Sequence, residues 1–351
     1  MSGRLPDTFS PARIVVVRLS ALGDVIRTLP VLPPLKARFP AATLHWVCEP
    51  LALPVVESQE LIDGVVVLPR GSLSAALRHG RLVRAAREVR HTIRQLREKP
   101  FDLVIDAQGT YKSALVGLST GAPVRVGFAR GAAREFLWRA ATHPVSLPVH
   151  AISRVDKALR LLGPLGAEPG AAAARLPEDR EKARRAARLW EAAGPAPRVL
   201  LAPGASARQA YKRWPAQRFG NLAHRLLAAG ATVKVAFGPG EEDLARTVCQ
   251  AAGRVDLQLP ATSLPLLAEL LRAADLFIGN DSGPMHLAWL VGTRVVVLYG
   301  PTDPVVNAPW GDNHVLIDGL SPGTPRRRDA AIMRRIAVEE VEHAARAALG
   351  I

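Results

Sequence analysis

The stretch Asp275-Leu-Phe-Ile-Gly-Asn-Asp281-Ser282-Gly283-Pro-Met-His286-Leu-Ala288, with Gly292-Thr-Arg-Val-Val-Val-Leu-Tyr-Gly300-Pro-Thr-Asp-Pro304 behind it, decides how the chain is read. Asp275 to Ile278 is a short apolar run of the buried-strand type. Gly279-Asn280-Asp281 is the turn at its carboxyl end, and Ser282 to Leu290 the helix that follows. A second apolar run, Arg294 to Leu298, ends in another turn rich in Gly, Pro, Thr and Asp. In open α/β sheets the ligand sits outside the carboxyl ends of such strands. A helix opening on Ser-Gly offers unpaired N–H groups and a positive dipole end, which suit a phosphate. Asp281, beside it, suits hydroxyls instead. Phosphate and hydroxyls side by side point to a sugar nucleotide. Asp281 and Ser282 acting only as helix caps would leave the same pattern, and this stretch alone does not separate the two.

Working towards the N-terminus, Thr232 to Phe237 reads as a strand ending in Gly238-Pro-Gly-Glu241-Glu242-Asp243, where an acidic residue can hold ribose hydroxyls or simply start a helix. Arg198 to Ala202 is a strand running into Pro203-Gly204-Ala205-Ser206-Ala207-Arg208, a turn of small residues that admits a phosphate closely. Lys212-Arg213-Trp214-Pro215 follows it. Upstream, Gly170-Ala-Ala-Ala-Ala, a charged helix from Glu178 to Ala193 and Gly194-Pro-Ala-Pro197 mark a composition shift.

The first half repeats the strand–helix alternation. Arg13 to Val17 is an apolar strand leading into Ser20-Ala-Leu-Gly23-Asp24, where Gly23 suits a tight turn with an unusual backbone angle. Asp24 then stands at a helix start, where the dipole favours it, or faces a cleft and takes a proton from a substrate hydroxyl. Strand-like segments recur at Thr43 to Cys48, Gly64 to Leu68 and Phe101 to Asp106. The last of these ends in Ala107-Gln108-Gly109-Thr110-Tyr111-Lys112-Ser113, on the rim that carries Asp24. Between them lie Arg78, Arg81, Arg84, Arg87, Arg90, Arg94 and Arg97 on a helical stretch. Arginines at three-residue steps drift around a helix, so most read as a solvated face, with some left to touch membrane phosphates.

The pattern predicts two doubly wound α/β domains: residues 1–175, a connection at 176–197, a second domain at 198–330, and a C-terminal helix within 331–351 that packs back on the first. The chain's 351 residues suffice for two cores. Its formal charge of +15, carried mainly by Arg, points to anionic partners such as nucleic acid or a membrane surface. Nucleic acid is disfavoured by the scarcity of aromatic residues. Cys48 and Cys249, far apart in apolar surroundings, fit a reducing compartment rather than a disulfide framework. No secretory signal or membrane-spanning run is visible, which predicts a soluble, cytoplasmic protein. Dinucleotide and P-loop glycine signatures, a Cys-x-x-Cys pair and an Asp-x-Asp metal pair are all missing. A metal-independent site needs a cation and helix N-termini to neutralise a leaving diphosphate. Lys212 and Ser282-Gly283 supply both.

Ser20-Ala-Leu-Gly-Asp24-Val-Ile-Arg-Thr-Leu-Pro30, Asp106-Ala-Gln-Gly109 with Lys112-Ser113, Pro203-Gly-Ala205, Lys212-Arg-Trp-Pro215, Gly279-Asn-Asp-Ser-Gly283 with His286, and Leu298-Tyr-Gly-Pro-Thr-Asp-Pro304 occur in this order. As an ordered set, from about Arg13 to the C-terminus, they resemble the lipopolysaccharide heptosyltransferases of glycosyltransferase family 9. Asp106-Ala-Gln-Gly with Lys-Ser is most similar to the members that add the first heptose to the Kdo region of lipid A. The resemblance implies a GT-B fold, two Rossmann-like domains facing a central cleft, with the acceptor bound by the first and ADP-heptose by the second. It implies inverting transfer with no metal and no cofactor. Asp24 matches the general base, Lys212 the lysine on the donor diphosphate, and Asp281 the carboxylate on the donor sugar. Ser282 and Gly283 lie at the phosphate with His286 nearby, and Ser206 falls near the phosphates. Glu242, with Glu241 as the alternative, takes the ribose.

For the acceptor the resemblance points to Ser20, Gly23, Arg70, Gln108 and Lys112. The family often has a basic cluster after the strand ending at Leu68, whereas here Arg70 is followed by Gly71-Ser-Leu-Ser74, so Arg125, Arg130 and Arg134 become candidates to compensate. The implied partners are a nucleotide-sugar donor and a Kdo-lipid A acceptor, met at the cytoplasmic face of the inner membrane. The alternatives are a relative with another acceptor or sugar, such as the second heptose step, and a GT-B-like isomerase of a free sugar nucleotide.

Overall fold

The computed structural model describes residues 3–69, 81–98, 100–133, 136–168 and 175–351. Arg70 and Arg134 lie outside the described residues. The chain divides into two units, Met1–Pro177 and Glu178–Ile351.

The first unit carries strands β1 (Arg13–Val17), β2 (Thr43–Cys48), β3 (Gly64–Val67), β4 (Leu103–Asp106), β5 (Val124–Phe128) and β6 (His143–Val145). They form one sheet in the order β3-β2-β1-β4-β5-β6, every neighbouring pair parallel. Ile14 to Val17 are wholly buried, as the unbroken apolar run of a strand covered on both faces requires. Each such side chain stabilises the unit by about 1.5–3 kcal/mol. The order reverses between β1 and β4, so the crevice at their carboxyl ends is the ligand-binding switch point of a doubly wound sheet. The Ser20–Asp24 and Gln108–Thr110 turns leave those two strands.

The second unit carries β7 (Arg198–Ala202), β8 (Thr232–Val235), β9 (Leu276–Asn280), β10 (Arg294–Tyr299) and β11 (His314–Asp318). All are parallel in the order β11-β10-β9-β7-β8. Here the order reverses between β7 and β9. The turns leaving them begin at Pro203 and Asp281, the two the sequence singled out for the donor.

Three expectations about organisation are corrected. The charged helix taken for a connection, Arg180–Glu191, belongs to the second unit: Trp190 is fully buried and its indole N–H donates to the Leu270 carbonyl at 3.1 Å. The C-terminal helix, Val338–Leu349, buries Val338, Val341 and Ala345 in the second unit's own core, with Trp214, Phe219 and Leu222. Arg225 also ties it there through Glu339 at 2.6 Å and Glu342 at 2.9 Å. Finally, the arginines do not all drift. On the Leu82–Arg97 helix, steps of three, four and three residues set Arg87, Arg90, Arg94 and Arg97 on one side at 100° per residue. Thr92 and Leu96 are buried on the other.

Candidate active site

On the first unit's rim, Asp24 lies in the opening turn of the short Leu22–Ile26 helix. Gly23 precedes it inside that helix and is not among the glycines with positive φ, so the unusual turn angle expected of it is absent. The Gly23 carbonyl instead accepts from the Arg27 side chain at 3.2 Å. Asp24 is gripped from three sides. Arg18 Nη2 is 2.8 Å from one carboxylate oxygen, Arg27 Nη2 2.6 Å from the other, and Arg154 Nε 3.7 Å away. Three guanidinium groups thus converge on one carboxylate, whose side chain stays a fifth exposed. Arg18 is nearly enclosed, and burial pushes its guanidinium below its ordinary value against the pull of Asp24. It also donates to the Ala107 carbonyl at 2.5 Å, joining the β1 and β4 turns.

Gln108 braces the turn that carries Asp24. Its amide oxygen accepts from the backbone of Leu19 at 2.7 Å and Ser20 at 3.3 Å, holding the turn that presents Asp24. Asp106 fixes the neighbouring turn, accepting from the Gln108 and Gly109 N–H groups, both at 3.0 Å, and from Ser113 Oγ at 2.9 Å. Burial pushes its carboxyl above the usual range, and those hydrogen bonds oppose the shift. Lys112 stands over the Tyr111 ring at 5.6 Å. Arg130 is exposed in the turn after β5. Arg125 is a correction: it sits near the amino end of β5, roughly 10 Å of strand from the rim. Its guanidinium is used on the carbonyls of Ala140 at 2.7 Å and Ala122 at 2.6 Å.

On the second unit's rim, Lys212 and Asp281 form an ion pair at 3.0 Å, with side chains only 10% and 5% exposed. His286 Nε2 lies 3.8 Å from the other Asp281 oxygen. Ser282 precedes the Gly283–Leu290 helix but makes no side-chain capping bond. Its Oγ is buried with no hydrogen-bond partner. A buried hydroxyl left unsatisfied costs roughly 1–3 kcal/mol, so at an open helix N-terminus it marks a place for an outside acceptor. Simple capping does not account for Ser282. Asn280, which sequence reading passed over, knits the site together. Its Oδ1 accepts from Trp214 N at 2.9 Å, and its Nδ2 donates to the Pro203 carbonyl at 2.9 Å.

Ser206 is exposed at the mouth of the β7 turn. Of the two glutamates, Glu241 is the one at that turn. It accepts from Gly238 N at 3.0 Å and lies 3.1 Å from Arg213 Nη2, and a Cβ on Gly204 would meet its Oε2 at 2.0 Å. Glu242 is exposed at the start of the Glu242–Ala251 helix. Arg213 and Asn280 carried a signal, a cation and an amide next to residues already chosen. Arg154, distant in sequence from Asp24, carried none. Among the described residues no three His, Cys, Asp or Glu side chains cluster as a metal site.

Comparison with known proteins identifies the family. Residues 89–336 match the model of glycosyltransferase family 9 (heptosyltransferase). Lipopolysaccharide heptosyltransferase 1 of Pseudomonas aeruginosa is 31% identical over 324 residues, 89% of this chain and 85% of the relative. Lipopolysaccharide heptosyltransferase 3 of Escherichia coli is 27% identical over 300 residues, 84% of this chain and 85% of the relative. Among solved structures, the E. coli heptosyltransferase WaaC with ADP superposes with a TM-score of 0.77 at 21% identity, covering 96% of this chain and 99% of that one. The E. coli ADP-heptose lps heptosyltransferase II gives 0.76 at 22%, covering 96% and 98%. The two doubly wound units are thus those of the GT-B fold.

Proposed function

Because the chain belongs to glycosyltransferase family 9, the heptosyltransferases of lipopolysaccharide inner-core assembly, we propose that it transfers L-glycero-D-manno-heptose from ADP-heptose to Kdo-lipid A, with inversion and without a metal ion. The observation that carries the donor half is the Lys212–Asp281 pair beside the unsatisfied Ser282 hydroxyl, at the β7/β9 reversal. Lys212 moves its charge onto the diphosphate, Ser282 and the N–H groups opening the Gly283–Leu290 helix bind phosphate oxygen, and Asp281 holds sugar hydroxyls. Glu241 or Glu242 holds the ribose. On the first unit Asp24 accepts the proton of the acceptor hydroxyl as its oxygen attacks the anomeric carbon and the bond to ADP breaks. The three guanidinium groups of Arg18, Arg27 and Arg154 around Asp24 suit an anionic acceptor such as Kdo, and an isomerase of a free sugar nucleotide has no use for such an acceptor site. The lipid acceptor places the enzyme at the cytoplasmic face of the inner membrane.

The test is transfer by the purified protein with ADP-heptose and Kdo-lipid A or its deacylated core, in the presence of a chelator. Heptosylated product and equimolar ADP are expected. ADP-heptose binding without transfer to either acceptor would discard the acceptor and keep the donor, and no binding would leave the fold alone.

A further inference from the structure

The helix that follows the Gln108 turn, Tyr111–Ser119, buries Ser113, Ala114, Val116 and Gly117 and turns Tyr111, Leu115 and Leu118 outward, 45%, 53% and 43% exposed. These three stand at i, i+4 and i+7, one continuous apolar stripe on a helix surface. Beside it runs the Leu82–Arg97 helix. The two share a core through Leu96 and Val116, and Arg97 Nε donates to the Ser119 carbonyl at 2.8 Å. The outer side of that second helix is the Arg87, Arg90, Arg94 and Arg97 stripe, continued by Val83, 76% exposed. The helix carries five arginines against the single acid Glu88.

An exposed apolar stripe alone says little about what covers it. Flanked by a row of guanidinium groups with almost no acid, it matches the composition of surfaces that lie in a lipid interface, apolar residues among the acyl chains and cations at the headgroups. We propose that these two helices form a membrane-docking face that binds anionic phospholipid. The apolar stripe begins three residues after Gln108, whose side chain holds the Asp24 turn, so docking here sets that turn beside the lipid surface. This deepens the lipid-acceptor reading, but the binding itself needs no acceptor and is tested without one.

The experiment is flotation of the full chain with vesicles of phosphatidylglycerol and phosphatidylethanolamine, against vesicles of phosphatidylcholine alone. Binding to the anionic vesicles, weakened by raised salt, is expected. Each headgroup-facing arginine contributes about fivefold to partitioning, so Arg87→Glu/Arg90→Glu/Arg94→Glu should lose more than 100-fold. Leu115→Ser/Leu118→Ser should lose roughly 10-fold or more. Both variants should keep transfer to the water-soluble deacylated core within about twofold of the parent, which also shows that they fold. Equal flotation of parent and variants, or none by the parent, overturns the proposal. So does a parent dimer that Leu115→Ser/Leu118→Ser dissociates without change in flotation, since the stripe would then be covered by a second copy. Loss of transfer with docking intact would count against the reaction assigned above and leave this surface standing.

Discussion

The buried Lys212–Asp281 pair separates a structural role from a ligand-binding one. Lys212→Met strands the Asp281 carboxylate, 5% exposed in the parent, beside the His286 ring at 3.8 Å. Removing one partner of a buried pair costs about 3–5 kcal/mol because the other charge is stranded. For a unit the size of Glu178–Ile351, each kcal/mol lowers Tm by about 2–4 °C, so a fall of roughly 6–20 °C is expected in its transition. Asp281→Leu should cost about as much. The double variant Lys212→Met/Asp281→Leu strands no charge and should lie within about 1 kcal/mol of the parent, a coupling of at least ~5 kcal/mol between the two residues when each single costs ~3 or more. Calorimetry without ligand measures all four proteins. A double variant as unstable as the sum of the singles would refute the pair as a coupled unit. Titration with ADP then separates fold from function. Losing a charge-assisted hydrogen bond to the diphosphate weakens Kd by roughly 10- to 150-fold, in the double variant as in Lys212→Met. Parent-like ADP affinity in the repaired double variant would remove Lys212 from the donor site.

Asp24→Asn should lower kcat about 10²- to 10⁴-fold, the usual worth of a general base, while Kd for ADP stays within twofold of the parent; unchanged turnover with weakened ADP binding would reverse that assignment. Gly204→Ala drives a methyl into the Glu241 carboxylate 2.0 Å away and should cost about 1–3 kcal/mol in thermal unfolding. Gly204→Ala/Glu241→Ala should recover most of it, and if it does not, the contact is not the cause. Asp106 holds its proton to a higher pH folded than unfolded, because burial raises it from 3.8. The folded state therefore binds more protons just above pH 3.8, and the Asp106 contribution to stability falls as pH rises through that window up to its folded value. Asp106→Asn should flatten that part of the Tm-against-pH curve, and an identical slope would show the carboxyl is not the source.

Both sheets were legible because parallel strands buried on two faces write themselves as unbroken apolar runs, as Ile14–Val17 and Leu276–Ile278 do. The chosen residues Asp24, Lys212, Asp281 and Ser282 lie on turns immediately after or near such runs, so locating the strands located the rims. What failed depended on contacts distant in sequence. Arg154 reaches Asp24 across some 130 residues, and nothing local in Ser153-Arg154-Val155 announces it. Arg125 is a candidate in the sequence because the basic cluster after Leu68 is missing, but its place near the amino end of β5 depends on register. In the arginine-rich helix the stripe shows only when the four positions with 3-4-3 spacing, Arg87, Arg90, Arg94 and Arg97, are separated from the arginines that precede them. The C-terminal helix has an apolar face that any neighbour can cover, so the pattern showed that it packs without showing where.

Where that last helix does pack bears on the order in which the molecule can be made. Trp214, two residues from Lys212, donates its indole N–H to the Ile336 carbonyl at 3.1 Å, and Val341 and Ala345 fill the core that β7 begins. During synthesis the first unit, ending at Pro177, can complete its sheet as soon as it leaves the ribosome. The second must wait with an open core until residues beyond 336 emerge, so the loop carrying Lys212 acquires its support late. A truncation before Val338 would spare the first unit and remove Val338, Val341 and Ala345 from the interior of the second.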